Sequence, residues 1–320
     1  MSDARTHPTS DAAPIAPADG DVASLVDQLR LAAGPALTLV VHFGSTRSQA
    51  APDGSSAHDL FVVTREYGAF YRRLQPIAAP TRRPRLLAFL NRCLPPNLLY
   101  LPASGTAGGK LFVISEADLE RELSTRARDH FCRARLIQDT RIAWARDDVA
   151  ASRFRAQVKH AREDVPEWMR SRIDGPFGID GFCREMMRLS YGSEIRPESG
   201  DRAGEVFGAQ RDFLAGVFRP ILQESAEIEE SGDLFQYRRR ATWRDHLRAR
   251  WFFSRSKVRA TLRWTKYTLT FDGWLDYIVA KVRRRTGLSI ELTPRQRRWP
   301  FLFLWPEFWR VLRARRTSSR

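Results

Sequence analysis

Hydrophobic residues near the start of the chain follow two spacings, one typical of a helix and one typical of buried strands. Apolar side chains recur at helical spacing from Val22 to Ala33, and Gly34-Pro35 then ends the pattern. The run from Ala36 to Phe43 is almost continuously apolar and rich in β-branched residues, which predicts a buried strand. After a polar loop, the run from Asp59 to Val63 predicts a second buried strand.

The pattern then alternates between helices and strands as far as residue 148 and becomes mainly helical beyond it. Helices are predicted at 67–74, 85–93, 116–123 and 129–137, and strands at 98–101 and 110–114. From residue 150 to 230 the apolar residues fit helical spacing, and the acidic stretch 223–233 is expected to be a linker. The sequence therefore predicts an α+β fold with a sheet domain at 21–148, a helical domain at 149–235 and a tail at 236–320.

Signals for secretion, disulfides and membrane crossing are missing from the sequence. Residues 1–20 carry Asp3, Asp11 and Asp19 with scattered prolines, so we expect a disordered lead-in rather than a signal peptide. The three cysteines lack the spacing of a disulfide framework or a zinc site. No window approaches the roughly 20 apolar residues that a membrane-spanning helix requires. We expect a cytoplasmic protein that lies on a membrane without crossing it.

Positive charge is concentrated in the tail. The chain has 53 Lys+Arg and 37 Asp+Glu, a formal net charge of +16. Residues 236–320 contain 23 Lys+Arg and 5 Asp+Glu, which leaves 30 and 32 for the first 235 residues. Seven of the nine tryptophans lie in the same tail, and a basic, tryptophan-rich segment suits an anionic membrane surface at least as well as a nucleic acid. Charge alone does not separate these two partners. Of the two, we expect peripheral association of the tail with the inner face of the cell membrane.

The residues between the first two predicted strands form the most informative pattern of the chain. Gly44-Ser45 follows the first strand, and Asp59 opens the second. Nucleotidyltransferases of the polymerase-β type are built in this way. In these enzymes the glycine lets the backbone approach the terminal phosphates of a nucleotide, and the serine hydroxyl donates a hydrogen bond to them. The aspartate holds Mg²⁺ beside the α-phosphate. The usual site has a second acid two residues further on, where this chain has Phe61.

Several longer segments occur in an order that resembles one family of such enzymes. They are HFGSTRSQ (42–49), HDLFVV (58–63), YGAFYRRL (67–74), GGKLFVISEADL (108–119), FCRARLIQDTRI (131–142) and LSYGSEIRPESGDRAGEV (189–206). Over residues 36–225 the chain resembles the soluble, mitochondrial-type phosphatidate cytidylyltransferases of the translocator assembly and maintenance family. One position departs from the family pattern, because Ala134 replaces the glycine of a Gly-Arg-Leu type motif.

The resemblance implies a nucleotidyltransferase domain followed by a winged-helix-like helical domain, with CTP, Mg²⁺ and phosphatidate as ligands. In that family the missing second acid is normal, so Asp59 would be the strand carboxylate that holds Mg²⁺. Lys110 would contact a phosphate as a catalytic residue. The resemblance also implies contacts with the nucleotide or the lipid phosphate for Gly44, Ser45, Arg47, Arg135, Ser190, Tyr191 and Arg196.

Two other functions fit parts of the same pattern. A nucleotidyltransferase with a different acceptor would use another lipid phosphate, a sugar phosphate or an RNA end, since these residues do not define the acceptor. A non-catalytic nucleic-acid-binding protein would grip phosphates with the basic tail. The positive charge lies outside the domain with the Gly-Ser turn, and the tail has no recognisable nucleic-acid motif. We therefore do not expect a nucleic-acid partner.

Overall fold

The computed structural model describes residues 20–44, 57–103, 108–192, 202–286 and 290–298 of the chain. The chain divides into two compact units, Met1–Thr270 and Phe271–Arg320. Helices and a mixed five-stranded sheet together confirm the predicted α+β class.

A five-stranded sheet forms the centre of the first unit. Its strands are β1 (Leu37–Phe43), β2 (His58–Thr64), β3 (Asn97–Leu101), β4 (Gly109–Ser115) and β5 (Arg141–Ala145). They lie in the order β3-β4-β2-β1-β5, in which β2 and β4 are parallel and the other neighbouring pairs are antiparallel. The end of β1 therefore lies beside the start of β2, which in turn lies beside the start of β4.

Helices cover both faces of the sheet, which explains why β1, β2 and β4 appear in the sequence as apolar runs. One face packs against α1 (Gly20–Ala33), α2 (Tyr67–Ala78) and α3 (Pro84–Cys93). The other face packs against α4 (Glu116–Leu123), α5 (Phe131–Leu136) and α6 (Asp148–Glu163). The side chains of Ser115 and Asp147 accept hydrogen bonds from backbone N–H groups in the first turns of α4 and α6, which fixes where these helices begin.

The chain after α6 is mainly helical and then forms a small hairpin. The helices are α7 (Val165–Met169), α8 (Ile179–Gly192) and α9 (Arg202–Glu224). Strands β6 (Ile228–Ser231) and β7 (Leu234–Tyr237) pair antiparallel across a turn in which Gly232 has a φ of +61°. The linker expected at 223–233 is instead the end of α9, strand β6 and the turn of the hairpin. The acidic residues of β6 mask this strand, in which Ile228 is buried, and Phe235 and Tyr237 are buried on β7.

Helix α10 (Trp243–Thr270) belongs to the first unit and covers the edge of the sheet at β3. The Thr270 hydroxyl donates a hydrogen bond to the Leu98 carbonyl at 2.9 Å. The Lys266 ammonium donates to the Pro96 carbonyl at 2.7 Å and to the Leu94 carbonyl. A helix in this position shields the edge strand from pairing with another chain.

The second unit contains α11 (Trp274–Thr286) and α12 (Pro294–Arg298) among its described residues. The Arg297 guanidinium lies 2.8 Å from the Asp276 carboxylate, which ties the two helices together. Across the described ranges of the chain, no helix combines the length and apolar composition that crossing a bilayer requires. The end of the predicted membrane-associating tail, residues 299–320, lies outside the described residues.

Candidate active site

Four residues from four neighbouring strands form a row across one end of the sheet. Phe43 on β1 is paired with Asp59 on β2, Asp59 with Lys110 on β4, and Lys110 with Tyr100 on β3. Residues that are paired across strands point to the same face of a sheet. All four therefore project from the face that α4, α5 and α6 cover.

Asp59 and Lys110 form an ion pair in the middle of this row. Nζ of Lys110 lies 3.2 Å from Oδ1 of Asp59. The two side chains are 21% and 22% exposed, so water and small ligands reach both charged groups. Because partial exposure keeps the net strength of an ion pair small, either group is able to exchange its partner for an incoming ligand.

Gly44 directly follows β1 and packs against the carboxylate of Asp59. Its φ of +88° lies in the left-handed region, which side chains other than glycine rarely adopt. A Cβ atom at this position would lie 2.7 Å from Oδ2 of Asp59, closer than a van der Waals contact allows. Both the backbone conformation and the close approach to the carboxylate therefore require glycine. The first residue of the predicted Gly-Ser turn and the predicted metal ligand are adjacent in the structure.

Aromatic rings lie next to the row and connect it to α5. The ring of Phe112 lies 5.7 Å from that of Phe61 and 5.9 Å from that of Phe131. Arg135 stacks on Phe131, with its guanidinium carbon 3.6 Å from the ring centroid, and donates to the Phe131 carbonyl at 3.0 Å. A guanidinium gains cation–π energy in this position and keeps its planar donors oriented. The stack holds the cation on the same face of the sheet as Lys110.

Ser190 and Tyr191 lie near the end of α8 and belong to the interior next to α5. Ser190 is buried, and its Oγ lies 3.1 Å from Nε2 of His130, the residue that precedes α5. Tyr191 is partly buried and packs against the same hydrophobic core. The structure thus links Ser190 to the residue before the helix that carries Arg135. Their contact with a substrate stays a prediction.

The predicted site residues differ in how far the structure brings them together. Gly44, Asp59 and Lys110 meet at one end of the sheet. Arg135 joins their face through the aromatic rings. The remaining predicted phosphate contacts, those of Ser45, Arg47 and Arg196, lie outside the described residues.

Sequence reasoning missed two aromatic residues of this region, Tyr100 and Phe131. Tyr100 is the strand partner of Lys110, and its hydroxyl lies so close to Gly108 that a Cβ atom there would clash. Phe131 carries the stacked Arg135. No spacing in the sequence identifies either residue, because strand register and the position of α5 bring them to the site.

The donor set of the row fits a Mg²⁺ ion that arrives with a nucleotide. Mg²⁺ is commonly held by one or two carboxylates together with substrate phosphates and water. Asp59 supplies one carboxylate, with Oδ1 beside an ammonium and Oδ2 beside a glycine. Within the described ranges, no group of three or more His, Cys, Asp or Glu residues is arranged to hold a metal. One carboxylate of this kind fits a metal that takes further ligands from a triphosphate and water.

Two other acids near the quoted motifs are engaged elsewhere. Asp118 follows the opposite end of β4 and accepts a hydrogen bond from the Tyr67 hydroxyl at 2.5 Å. Asp129 pairs with Arg259 and Arg263 in the interior. Neither carboxylate is placed to join Asp59 at the start of β2.

No protein-family model matches the chain, and no curated protein matches it either.

Proposed function

We propose that this protein is a nucleotidyltransferase that uses CTP to activate phosphatidate, with CDP-diacylglycerol and pyrophosphate as products. The observation that carries the proposal is the meeting of Gly44, Asp59 and Lys110 at one end of the sheet. A glycine turn lies there beside a carboxylate and an ammonium. These are the groups that a nucleoside triphosphate with its Mg²⁺ requires.

Two features of the fold support a polymerase-β-type domain followed by a winged-helix-like domain. The glycine turn, the carboxylate and the lysine come from β1, β2 and β4, which are neighbours in the sheet. The helices α7 to α9 are followed by the hairpin of β6 and β7, which has the position of a wing after its helices. The segments that carry the family resemblance, between residues 36 and 225, all belong to the first unit.

The reaction requires alignment and charge neutralisation rather than a strong general base. An anionic oxygen of the phosphatidate phosphate attacks the α-phosphorus of CTP and forms a new P–O–P linkage. The bond from the α-phosphorus to the oxygen that bridges the α- and β-phosphates breaks, and pyrophosphate leaves with that oxygen. Bound Mg²⁺ would neutralise phosphate charge during this step, and Asp59 would hold it.

Lys110 and Arg135 are the described cations best placed to act on the phosphates. Lys110 exchanges its contact with Asp59 for a phosphate oxygen when the nucleotide binds, because a partly exposed ion pair is weak. Arg135 approaches the phosphates from the same face, fixed by its stack on Phe131. The remaining proposed contacts with the nucleotide or the lipid phosphate are those of Gly44, Ser45, Arg47, Ser190, Tyr191 and Arg196.

A lipid substrate requires contact with a bilayer, and α10 carries an exposed apolar stripe that suits it. Six apolar residues of α10 on one side of the helix are between 47% and 68% exposed, and they are Trp243, Leu247, Trp251, Val258, Leu262 and Leu269. We call these six residues the α10 stripe. The opposite side packs on the first unit and includes the buried polar residues Ser256, Arg263, Lys266 and Thr270. This distribution reverses the usual one, in which the apolar side of a helix faces the protein.

Cations border the α10 stripe and favour an anionic bilayer as its partner. The exposed ones are Arg244, Arg248, Arg250 and Lys257, and Asp245 is the one acid of the helix. An apolar stripe bordered by cations is typical of a helix that lies in the membrane interface. We therefore place the protein peripherally on the inner face of the cell membrane, where phosphatidate is anchored.

The proposed activity is tested by incubating the full chain with CTP, Mg²⁺ and phosphatidate vesicles. CDP-diacylglycerol and pyrophosphate should form in equal amounts. Product formed only with another nucleotide, or only with another phosphate acceptor, would replace the proposed substrates and keep the reaction class.

Asp59→Asn separates a catalytic role of the carboxylate from a structural one. It keeps the size of the side chain and removes the charge, so turnover should fall roughly 100-fold or more while the melting temperature stays unchanged. The matched control is Asp27→Asn, which removes a carboxylate from an exposed pair with Arg30 and should leave turnover unchanged. Full turnover by Asp59→Asn would remove this residue from the site.

A further inference from the structure

The exposed side of α3 places aromatic, aliphatic and cationic residues next to one another. Leu86 and Phe89 are 42% and 60% exposed, and Arg85 and Arg92 are exposed as well. At about 100° per residue these four positions share one side of the helix, while the opposite side is buried in the core of the unit. Together with the exposed Arg83 that precedes the helix, they form a surface that we call the α3 patch: Arg83, Arg85, Leu86, Phe89 and Arg92.

The α3 patch lies in a part of the chain that has no acidic residues. From Tyr67 to Ser115 the sequence has seven Lys+Arg and no Asp or Glu. The net charge of the first 235 residues is close to zero, but this stretch has an excess of positive charge. Positive charge is therefore not confined to the tail. Among the residues that the structure describes, no carboxylate pairs with Arg83, Arg85 or Arg92. Their charge is available to an anionic partner.

The segments on either side of α3 contact α10 within the same compact unit. Nη2 of Arg82 donates to the Thr268 carbonyl of α10 at 3.3 Å. The Lys266 ammonium of α10 donates to the Pro96 carbonyl, just beyond the end of α3. The α3 patch and the α10 stripe thus belong to elements of one unit that meet through these flanking contacts, and both surfaces carry exposed apolar side chains among cations.

We propose that the α3 patch is a second membrane-contacting surface, which inserts Phe89 and Leu86 into an anionic bilayer while its three arginines pair with lipid phosphates. The inference rests on the proposed function, because a phosphatidate substrate is what brings the protein to a bilayer. The exposed apolar side chains favour a bilayer over a nucleic acid as the anionic partner. They leave water when they enter the acyl boundary of a membrane, whereas a phosphate backbone stabilises only the cations.

Sedimentation of the full chain with vesicles measures this contact directly. The vesicles are phosphatidylcholine alone or phosphatidylcholine mixed with phosphatidate or with phosphatidylglycerol. Replacing the three arginines together, as R83Q/R85Q/R92Q, should lower partitioning into anionic vesicles roughly 100-fold, since each surface cation contributes about fivefold. The double variant L86S/F89S should lower it roughly tenfold and should do so at high salt as well, because apolar insertion is not screened.

Matched variants elsewhere on the first unit control for charge and for hydrophobicity. The charge control R126Q/R153Q/R188Q removes three exposed arginines outside the α3 patch. The apolar control L31S/V149S removes two exposed apolar side chains, which are 87% and 76% exposed. Both controls should sediment like the unchanged protein. Because all substituted positions are exposed, every variant should keep the melting temperature of the unchanged protein.

The two patch variants test the inference independently, so if one of them fails to fold, the other still tests it. Partitioning equal to that of the matched controls would overturn it. Binding of a single-stranded RNA that competes with vesicles and is lost in R83Q/R85Q/R92Q, but kept in L86S/F89S, would also overturn it in favour of a nucleic-acid partner.

Turnover of a short-chain, water-soluble phosphatidate separates this inference from the proposed function. The patch variants should keep full turnover of the soluble substrate and lose turnover of vesicle phosphatidate. If the unchanged protein forms no CDP-diacylglycerol but the patch variants lose vesicle binding, the proposed function fails and the membrane surface stands. If turnover occurs and the patch variants bind vesicles normally, the proposed function stands and the α3 patch fails.

Discussion

Two clusters in the first unit pair a carboxylate with cations, and they differ in how far water reaches them. Asp59 pairs with one ammonium at 3.2 Å, and about a fifth of each side chain is exposed. Asp129 pairs with Arg259 at 2.6 Å and with Arg263 at 2.8 Å, and its side chain is 2% exposed. The first cluster is open to exchange with a ligand. The second cluster is closed and joins α10 to the rest of the unit.

The cluster at Asp129 is closed because most of its polar atoms have partners within the protein. The Phe131 backbone N–H donates to Oδ1 of Asp129 at 3.0 Å, and Arg263 donates twice to the Pro95 carbonyl. Burial acts to raise the pKa of Asp129, but the charge of Arg263 and the hydrogen bond from Arg259 outweigh it and lower the pKa. The carboxylate is therefore ionised in the interior, and the packing of α10 depends on its charge.

Breaking the closed cluster should have the largest effect on stability. Asp129→Asn leaves the buried guanidinium of Arg263 and the half-buried one of Arg259 without a carboxylate. The free energy of unfolding should fall by about 3–5 kcal/mol, which is the usual cost of leaving a buried charge unpaired. Urea denaturation at neutral pH measures this loss. The exposed pair of Asp27 and Arg30 provides the control, since Asp27→Asn should leave the urea midpoint unchanged.

The dependence of this stability difference on pH identifies its electrostatic origin. Because the pKa of Asp129 is lowered by folding, the unfolded chain binds the proton more readily than the folded protein. The contribution of the carboxylate is complete above the unfolded pKa of about 3.9 and is lost as the pH falls through the folded pKa. The unchanged protein and Asp129→Asn should therefore converge in stability below about pH 4. A difference that stays constant with pH would contradict the assignment.

The strands that carry the open cluster were predictable from the sequence. Strands β1, β2 and β4 lie within one residue of the predicted runs at 36–43, 59–63 and 110–114. Strands buried on both faces appear as apolar runs, which are the clearest pattern that a sequence offers. The contact between Asp59 and Lys110 was not predictable, because it depends on the parallel register of two strands that are far apart in sequence.

The closed cluster and the short strands were beyond sequence reasoning for different physical reasons. Arg259, Arg263 and Lys266 look like solvated residues of a basic helix, yet Arg263 and Lys266 are buried. They are buried because Asp129 and the carbonyl groups after α3 supply their partners. Strand β5 and the two strands of the hairpin have only four or five residues each, which is too short for a clear pattern, and β6 is also mostly polar.

Gly44→Ala should disturb the open cluster directly, with an effect of intermediate size. The left-handed backbone alone costs an alanine about 1 kcal/mol. The new Cβ atom would also press on Oδ2 of Asp59, which should add about 1 kcal/mol and displace the carboxylate. Turnover should fall along with stability, and both are measured on the same preparation.

Gly175 offers a matched control for this substitution. Its φ is +84°, close to that of Gly44, but a Cβ atom there would meet no other atom within 4 Å. Gly175→Ala should therefore lower stability by about 1 kcal/mol through the backbone and leave turnover unchanged. If both alanine variants lose the same stability and keep the same turnover, the contact between Gly44 and Asp59 has no functional role.

Lys110→Met should have the smallest effect on stability and a selective effect on nucleotide use. The pair that it breaks is partly exposed, so the free energy of unfolding should change by less than about 1 kcal/mol. The methionine keeps the apolar stem of the side chain and removes the ammonium that we assign to a phosphate of CTP. The KM for CTP should therefore rise roughly tenfold, while the KM for phosphatidate should stay within about twofold of its value in the unchanged protein.

The control is Lys110→Arg, which keeps the charge and should bring the KM for CTP most of the way back to its value in the unchanged protein. Steady-state kinetics in both substrates distinguish the outcomes, since an equal rise of both KM values would assign Lys110 to general stabilisation of the site. A large loss of stability would instead show that the open cluster is as structural as the cluster at Asp129.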